Sequence, residues 1–400
     1  MQLVVAPPAA SAASHGSAAA RPAGYLPAVE GMRAVAAIGV LLTHTAFQTD
    51  AIAWPVLGPL LGRLDLAVAV FFAISGYLLW RVHAAAARGL ATPPSVRRYF
   101  RHRAVRILPA YWVAVCVVLL FVAGGSFEVW FANLTLTQLY FPFTLTTGLT
   151  QMWSLAVEVA FYLALPVIAI AMRPLKDDLA KLRAPIILGV SLASLGWAHF
   201  NLPLPMGVDP SSMPPAYLSW FGAGMLLAEL SIGWPDLVAR FMAKPWIYYV
   251  VAALTFGLSA TPIAGPGGLV ILETYQFSTK VALGAVLAFS LMAPVIASGR
   301  PHRFLDSRMM QTLGRWSYGI FIWHVGVLAI VLPVLAVAPF SGHFVLVTVV
   351  TLGLSILIAA ASYALVEEPL RVASRRWERN HSGAPTAAAP VSVTATRQRN

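Results

Sequence analysis

The stretch "EGMRAVAAIGVLLTHTAF", residues 30–47, combines two properties that rarely share a helix. Most of it is apolar enough for a bilayer, yet it carries Glu30 and Arg33 near its start and His44 near its end. Ionisable side chains at membrane depth are costly and face a bundle interior or a water-filled cavity. Arg33 and His44 are eleven residues apart. At about 100° per residue they return to within roughly 20° of one helical face, about 16 Å apart along the axis. Glu30 stands three residues before Arg33, where it can pair with it. Either the aligned residues face a shared cavity, or Arg33 pairs with Glu30 at the interface and His44 bonds a neighbouring helix. The spacing leaves both open.

The whole chain shares the apolar character of this stretch. Of its 400 residues, 59% are hydrophobic and 10% charged, and its mean hydropathy is +0.75. A soluble domain carries about 25% charged residues, so this is the composition of an integral membrane protein. The single cysteine, Cys116, rules out a disulfide framework or a CxxC site within one chain, and no metal is expected.

About ten segments have the roughly 20-residue apolar character of a span. They are Leu26–Phe47, Leu64–Trp80, Ile107–Ala123, Trp153–Met172, Pro185–Phe200, Pro215–Ile232, Trp246–Ile263, Thr279–Ala297, Gly314–Leu335 and Val345–Val366. Both ends, residues 1–24 and 371–400, read as disordered tails, the latter basic. The expected fold is therefore an all-α integral membrane protein with about ten transmembrane helices in residues 25–370.

The charges support this count. In a ten-span arrangement, 24 of the 27 Lys and Arg residues fall on one side. By the positive-inside rule that side is cytoplasmic and holds both termini. The net charge of +12 is then mainly a matter of topology, and nucleic acid is not an expected partner. The opposite loops are short and cannot hold a domain of typical size.

Other ionisable residues inside spans ask for partners. Glu158, in "MWSLAVEVAFYLALP", has no Lys or Arg three or four residues away, so its partner must lie on another helix. Glu229 and Lys280 lie near opposite membrane faces and are each expected to snorkel to their own interface. His324, in "GRWSYGIFIWHVG", is either a packed histidine or part of a site. Ser75 and Gly76, in "FFAISGYLLW", suit close helix packing or binding equally. The run "RRYFRHRAVR", residues 97–106, suits anionic lipid or a phosphate-rich cytoplasmic ligand.

These motifs fall in the order of a known family. The chain resembles the acyltransferase-3 family of membrane acyltransferases, in its stand-alone, cell-envelope O-acetyltransferase-like form. "LPAVEGMRAVAAIGVLLTH" resembles its opening helix with the Arg-x10-His signature at Arg33 and His44. "VAVFFAISGYLL" resembles its FFxxSGF block, with Tyr77 for the usual Phe. "RRYFRHRAVRILPAYW" is similar to its R-x-x-R segment, at Arg103 and Arg106. "WSLAVEVAFYLALP" and "LGRWSYGIFIWHVGVL" resemble its W-S-L-x-x-E and ninth-span blocks. Two acids common in the family are missing: Ala69 stands where many members have Asp, and Val159 follows Glu158 in place of a second Glu.

The resemblance implies O-acyl transfer, with acetyl-CoA or another acyl-CoA as cytoplasmic donor and an envelope glycolipid or saccharide as outer acceptor. It implies His44 as general base, or as a transient acyl carrier, with Arg33 and Glu158 as further catalytic residues. Arg103, Arg106, Ser75, Gly76 and Tyr77 would bind the donor, and Glu30, Trp153, Ser154, Tyr318, Trp323 and His324 would line the tunnel or meet the acceptor. The expected setting is the bacterial inner (cytoplasmic) membrane, as a multi-pass protein, with a homodimer or an envelope-biosynthesis protein as compatible partners. An Ala-, Arg- and Pro-rich composition with four lysines points to a high-GC genome and makes a trehalose mycolate-type glycolipid one candidate acceptor. A transporter or flippase of an envelope lipid or saccharide is the alternative class.

Overall fold

The computed structural model describes residues 26–381 except 201, 242–243, 269 and 298–300. Each of the ten apolar segments contains a helix: α1 Pro27–Gln48, α2 Ala67–Ala86, α3 Val96–Val118, α4 Met152–Ala171, α5 Arg183–Ser194, α6 Leu218–Gly233, α7 Pro245–Ser259, α8 Thr274–Ala297, α9 Arg308–Val334 and α10 Phe344–Ser362. Short helices at Leu57–Gly62, Phe127–Leu134 and Pro235–Phe241 lie in the connections. No strand occurs among the described residues. The fold is that of an all-α membrane protein.

Seven helical segments, among the described residues, are long and apolar enough to cross a membrane. The three remaining expected spans fall short for visible reasons. Helix α1 contains Glu30, Arg33 and His44; α6 has 16 residues and α7 has 15.

Proline sets several helix starts, at the first turns of α1 and α7, where its missing N–H costs nothing. Helix α1 packs against α2, α9 and α10, and α2 packs against α6 and α8. Two glycines allow these approaches. A Cβ on Gly314 would lie 2.3 Å from the Glu30 carbonyl oxygen, so α9 meets α1 backbone to backbone. A Cβ on Gly76 would lie 2.2 Å from the Phe221 carbonyl oxygen, at the α2–α6 contact. Gly76 therefore serves helix packing.

One expectation about charge is corrected here. Glu229 does not snorkel; it is completely buried. Its carboxylate accepts from Trp80 Nε1 at 2.8 Å, Arg88 Nη1 at 2.8 Å and Arg183 Nε at 2.7 Å. A carboxylate held by two guanidiniums has no reason to seek water. Lys280 pairs with Asp65 at 2.6 Å, a partner offered just before α2.

The C-terminal boundary also moves. Residues 371–381, expected within a disordered tail, continue a strongly amphipathic helix, α11 Glu368–His381, which a π-helical turn at Tyr363–Glu367 joins to α10. One face of α11 packs on α3, and that contact supplies the stabilisation its charged composition lacks. Residues 1–24 and 382–400, the rest of the expected tails, lie outside the described residues.

Candidate active site

Helix α1 keeps unbroken α-geometry from Pro27 to Gln48, so Arg33 and His44 do share a face. Their surroundings differ. His44, half-buried, meets the fully buried His324 of α9, with ring centroids 5.0 Å apart. His324 Nδ1 lies 2.7 Å from the Phe321 carbonyl and 3.1 Å from that of Ile320. Carbonyls only accept, so the network assigns the proton to Nδ1 and the lone pair to Nε2. His44 Nδ1 lies 2.8 Å from the Val40 carbonyl and 3.2 Å from His324 Nε2, and as donor it can serve both. That leaves the lone pair of His44 on Nε2, for which the described residues offer no hydrogen-bond partner.

Arg33 lies at a cavity of about 270 Å³ between α1, α2, α3, α4 and α9. Its polar wall is built around Glu158, which accepts from Ser75 Oγ at 2.5 Å and from the Tyr162 hydroxyl. Tyr99 donates to the Tyr162 carbonyl at 3.0 Å, and the Arg103 guanidinium lies 5.5 Å from the Tyr162 ring centroid. Arg81, Arg103, Arg106, Ser154, Ser317 and Tyr318 complete the polar lining, and the Tyr318 hydroxyl donates to the Ile107 carbonyl at 2.8 Å. Phe71 and Phe321 form part of the apolar wall, 6.0 Å apart edge to face. The Phe321 ring is also 5.9 Å from the His324 ring, so it touches both the cavity and the histidine pair.

A second space of about 340 Å³ adjoins the first. Arg33, Arg103, Arg106 and Tyr318 line both. This vestibule carries six arginines against two carboxylates, Glu30 and Glu367. Glu30 pairs with Arg33 at 3.8 Å, as its spacing suggests. The basic run of α3 divides by helical phase. Arg103 and Arg106 face the cavity, and Arg98, Arg101 and His102 meet Glu378 of α11.

Several expected residues stand elsewhere. The hydrogen bonds of Glu158 go to Ser75 and Tyr162, and His44 has His324 as its ring partner. Gly76, Tyr77, Trp153, Trp323, His44 and His324 do not line the 270 Å³ cavity. Tyr77 is buried in the core, and the Trp153 ring stacks near Tyr217 at 5.0 Å. Tyr162 escaped notice in the sequence, although it stands one turn beyond Glu158, where a partner is geometrically natural. Nothing local in the sequence signals that Arg315, Arg371 and Arg375 line the vestibule.

Comparison with known proteins assigns the chain to a family. Residues 26–360 match a family model described as an acyltransferase domain. The chain is 26% identical over 375 residues to YrhL of Bacillus subtilis, covering 87% of this chain and 55% of that protein. It is 23% identical over 385 residues to the peptidoglycan O-acetyltransferase OatA of Listeria monocytogenes, covering 87% and 56%. It is 24% identical over 383 residues to the O-acetyltransferase OatA of Staphylococcus aureus, covering 87% and 57%. The chain thus spans little more than half the length of these curated relatives. No solved structure matches it.

Proposed function

The chain belongs to this acyltransferase family, and on that premise we propose that it moves an acetyl group from cytoplasmic acetyl-CoA to a sugar hydroxyl of the bacterial envelope. The observation that carries the reading is the layout along α1. An arginine-rich vestibule opens into a cavity at Arg33, and eleven residues further along the same face His44 presents an unprotonated Nε2. The proposed topology has ten spans with both termini in the cytoplasm, supported by the 24 of 27 basic residues on one side. The protein then works in the inner membrane, with the vestibule facing the cytoplasm.

In this reading Arg103 and Arg106 hold the donor's diphosphate by charge-assisted hydrogen bonds. The pantetheine arm follows the cavity past Glu158 and Ser75 towards the histidines, with Phe321 moving aside. His44 Nε2 takes the proton of the acceptor hydroxyl as its oxygen forms a bond to the thioester carbonyl carbon. The carbon–sulfur bond breaks, and the protonated His44 returns its proton to the departing thiolate. His324 Nε2 accepts from His44 Nδ1–H and steadies the ring in this tautomer. The Listeria relative is named for peptidoglycan, which makes a peptidoglycan sugar the first acceptor to test and a trehalose-type glycolipid the second.

The test is reconstitution in proteoliposomes supplied with acetyl-CoA and each acceptor. Equal amounts of free thiol and acetylated acceptor are expected. Movement of the acceptor across the bilayer without thiol release would instead identify a transporter. Within the same system, reversing both charges with Arg103→Glu and Arg106→Glu is expected to weaken coenzyme A binding by about tenfold to a hundredfold, the scale of losing hydrogen bonds to charged groups. Unchanged affinity in a binding titration would take the pair out of donor recognition.

A further inference from the structure

Helix α11 lies outside the family match, which ends at residue 360. Its residues nevertheless enter the vestibule: Arg371, Ser374 and Arg375 line it beside Arg103 and Arg106 of α3. With Glu378 they follow an i, i+3, i+4, i+7 pattern, a single stripe of the helix. At the far end of that stripe Glu378 binds Arg98 at 3.4 Å, and also Arg101 and His102. The Arg101 guanidinium lies 4.4 Å from the Trp377 ring centroid. These contacts fasten α11 to α3, so that Arg375 and Arg371, the latter also 3.6 Å from Glu368, line the same space as the inner pair.

The result is two tiers of cations. The inner tier, Arg33, Arg103 and Arg106, lines both the vestibule and the cavity. The outer tier, Arg371 and Arg375 with Arg315 of α9, lines the vestibule and not the cavity. One phosphate group needs far fewer arginines than six. A ligand with two separated phosphate groups fits both tiers: a diphosphate next to the long arm, and a phosphomonoester further out. The monoester carries about −1.5 to −2 charges at neutral pH, so it gains most from added arginines.

We propose that α11 forms a second phosphate site, in which Arg371 and Arg375 bind the ribose 3′-phosphate of coenzyme A while Glu378 positions the helix. This deepens the reading of coenzyme A as donor and rests on it. The same arginines suit a phospholipid headgroup chemically. The tiered arrangement favours the nucleotide, because the outer arginines share one space with the inner pair at the cavity mouth.

The experiment is a titration of the full chain in phosphatidylcholine nanodiscs with coenzyme A and with 3′-dephospho-coenzyme A. The wild type is expected to bind coenzyme A about tenfold more tightly, a modest factor because the two side chains are partly exposed. In the double variant Arg371→Ala, Arg375→Ala that preference should vanish, with affinity for the dephospho ligand unchanged. The unchanged ligand doubles as a check that the variant is folded. Glu378→Ala should lower the preference in the same sense.

Equal loss for both ligands, or a preserved preference, overturns the proposal. If the double variant keeps its preference while Arg103→Glu with Arg106→Glu loses all binding, only the role of α11 falls. If the wild type binds neither ligand, the donor reading falls with it. Repeating the titration with phosphatidylglycerol in the nanodiscs separates the two phosphate sources. A preference that persists there belongs to the nucleotide, and one that lipid abolishes shows the arginines serving headgroups and overturns the proposal.

Discussion

His44→Ala is expected to lower acetyl transfer by about a hundredfold to ten-thousandfold, the range that general base catalysis contributes. The side chain is half-buried and its Nε2 has no hydrogen-bond partner among the described residues. On the proposed mechanism its removal strips the site of its base with little damage to packing. The variant should extract from the membrane in the same amount and keep its affinity for coenzyme A, since His44 lies on neither cavity wall. Activity is read as thiol release dependent on acceptor. A variant that turns over at the wild-type rate would exclude His44 from the reaction. His324→Leu provides a graded comparison. It removes the acceptor facing His44 Nδ1 but leaves the proposed base, so it should slow transfer less than His44→Ala and shift the pH–rate profile. A pH profile identical to the wild type would reduce His324 to packing.

Glu229→Ala is expected to cost about 3–5 kcal/mol of stability, the scale of breaking a buried ion pair by removing one partner. Three donors lose their acceptor together: Trp80, Arg88 and Arg183. Arg183, with a side chain only 3% exposed, has no route to water. Each guanidinium keeps one backbone carbonyl, Ala84 for Arg88 and Met172 for Arg183, but Arg88 is better placed because its side chain is 14% exposed. The combination Glu229→Leu with Arg183→Met should therefore recover much of the loss, since it removes the buried charge with no route to water and leaves only the partly exposed Arg88 without its carboxylate. Thermal unfolding in nanodiscs measures both. An unchanged midpoint in Glu229→Ala would show that the network is not holding α2, α5 and α6 together, and a double variant no better than the single would show that the cost is not a stranded charge.

These two sites mark how far the chain could be read before its fold was known. That residues 27–48 form one helix, and that Arg33 and His44 share its face, follow from hydrophobicity and a fixed rotation per residue. Membrane residence and an all-helical architecture follow from composition, because only internally satisfied backbones tolerate lipid. The pairing of Glu30 with Arg33 is local and was equally legible.

Partnerships between helices were not. His44 meets a residue 280 positions away in sequence, and Glu229 meets Arg88 at a separation of 141 and Arg183 at 46. Glu229 alone looks like a carboxylate near a membrane face, and its burial depends on two guanidiniums brought in by other helices. The basic C-terminal segment has a polar composition that suggests disorder, yet contact with α3 makes it a helix and turns Arg371 and Arg375 into the vestibule. Period and hydropathy belong to each segment separately. Which charges end up within hydrogen-bonding reach depends on which helices become neighbours, and that is settled by packing at positions such as Gly76 and Gly314, where the absence of a side chain lets two backbones meet.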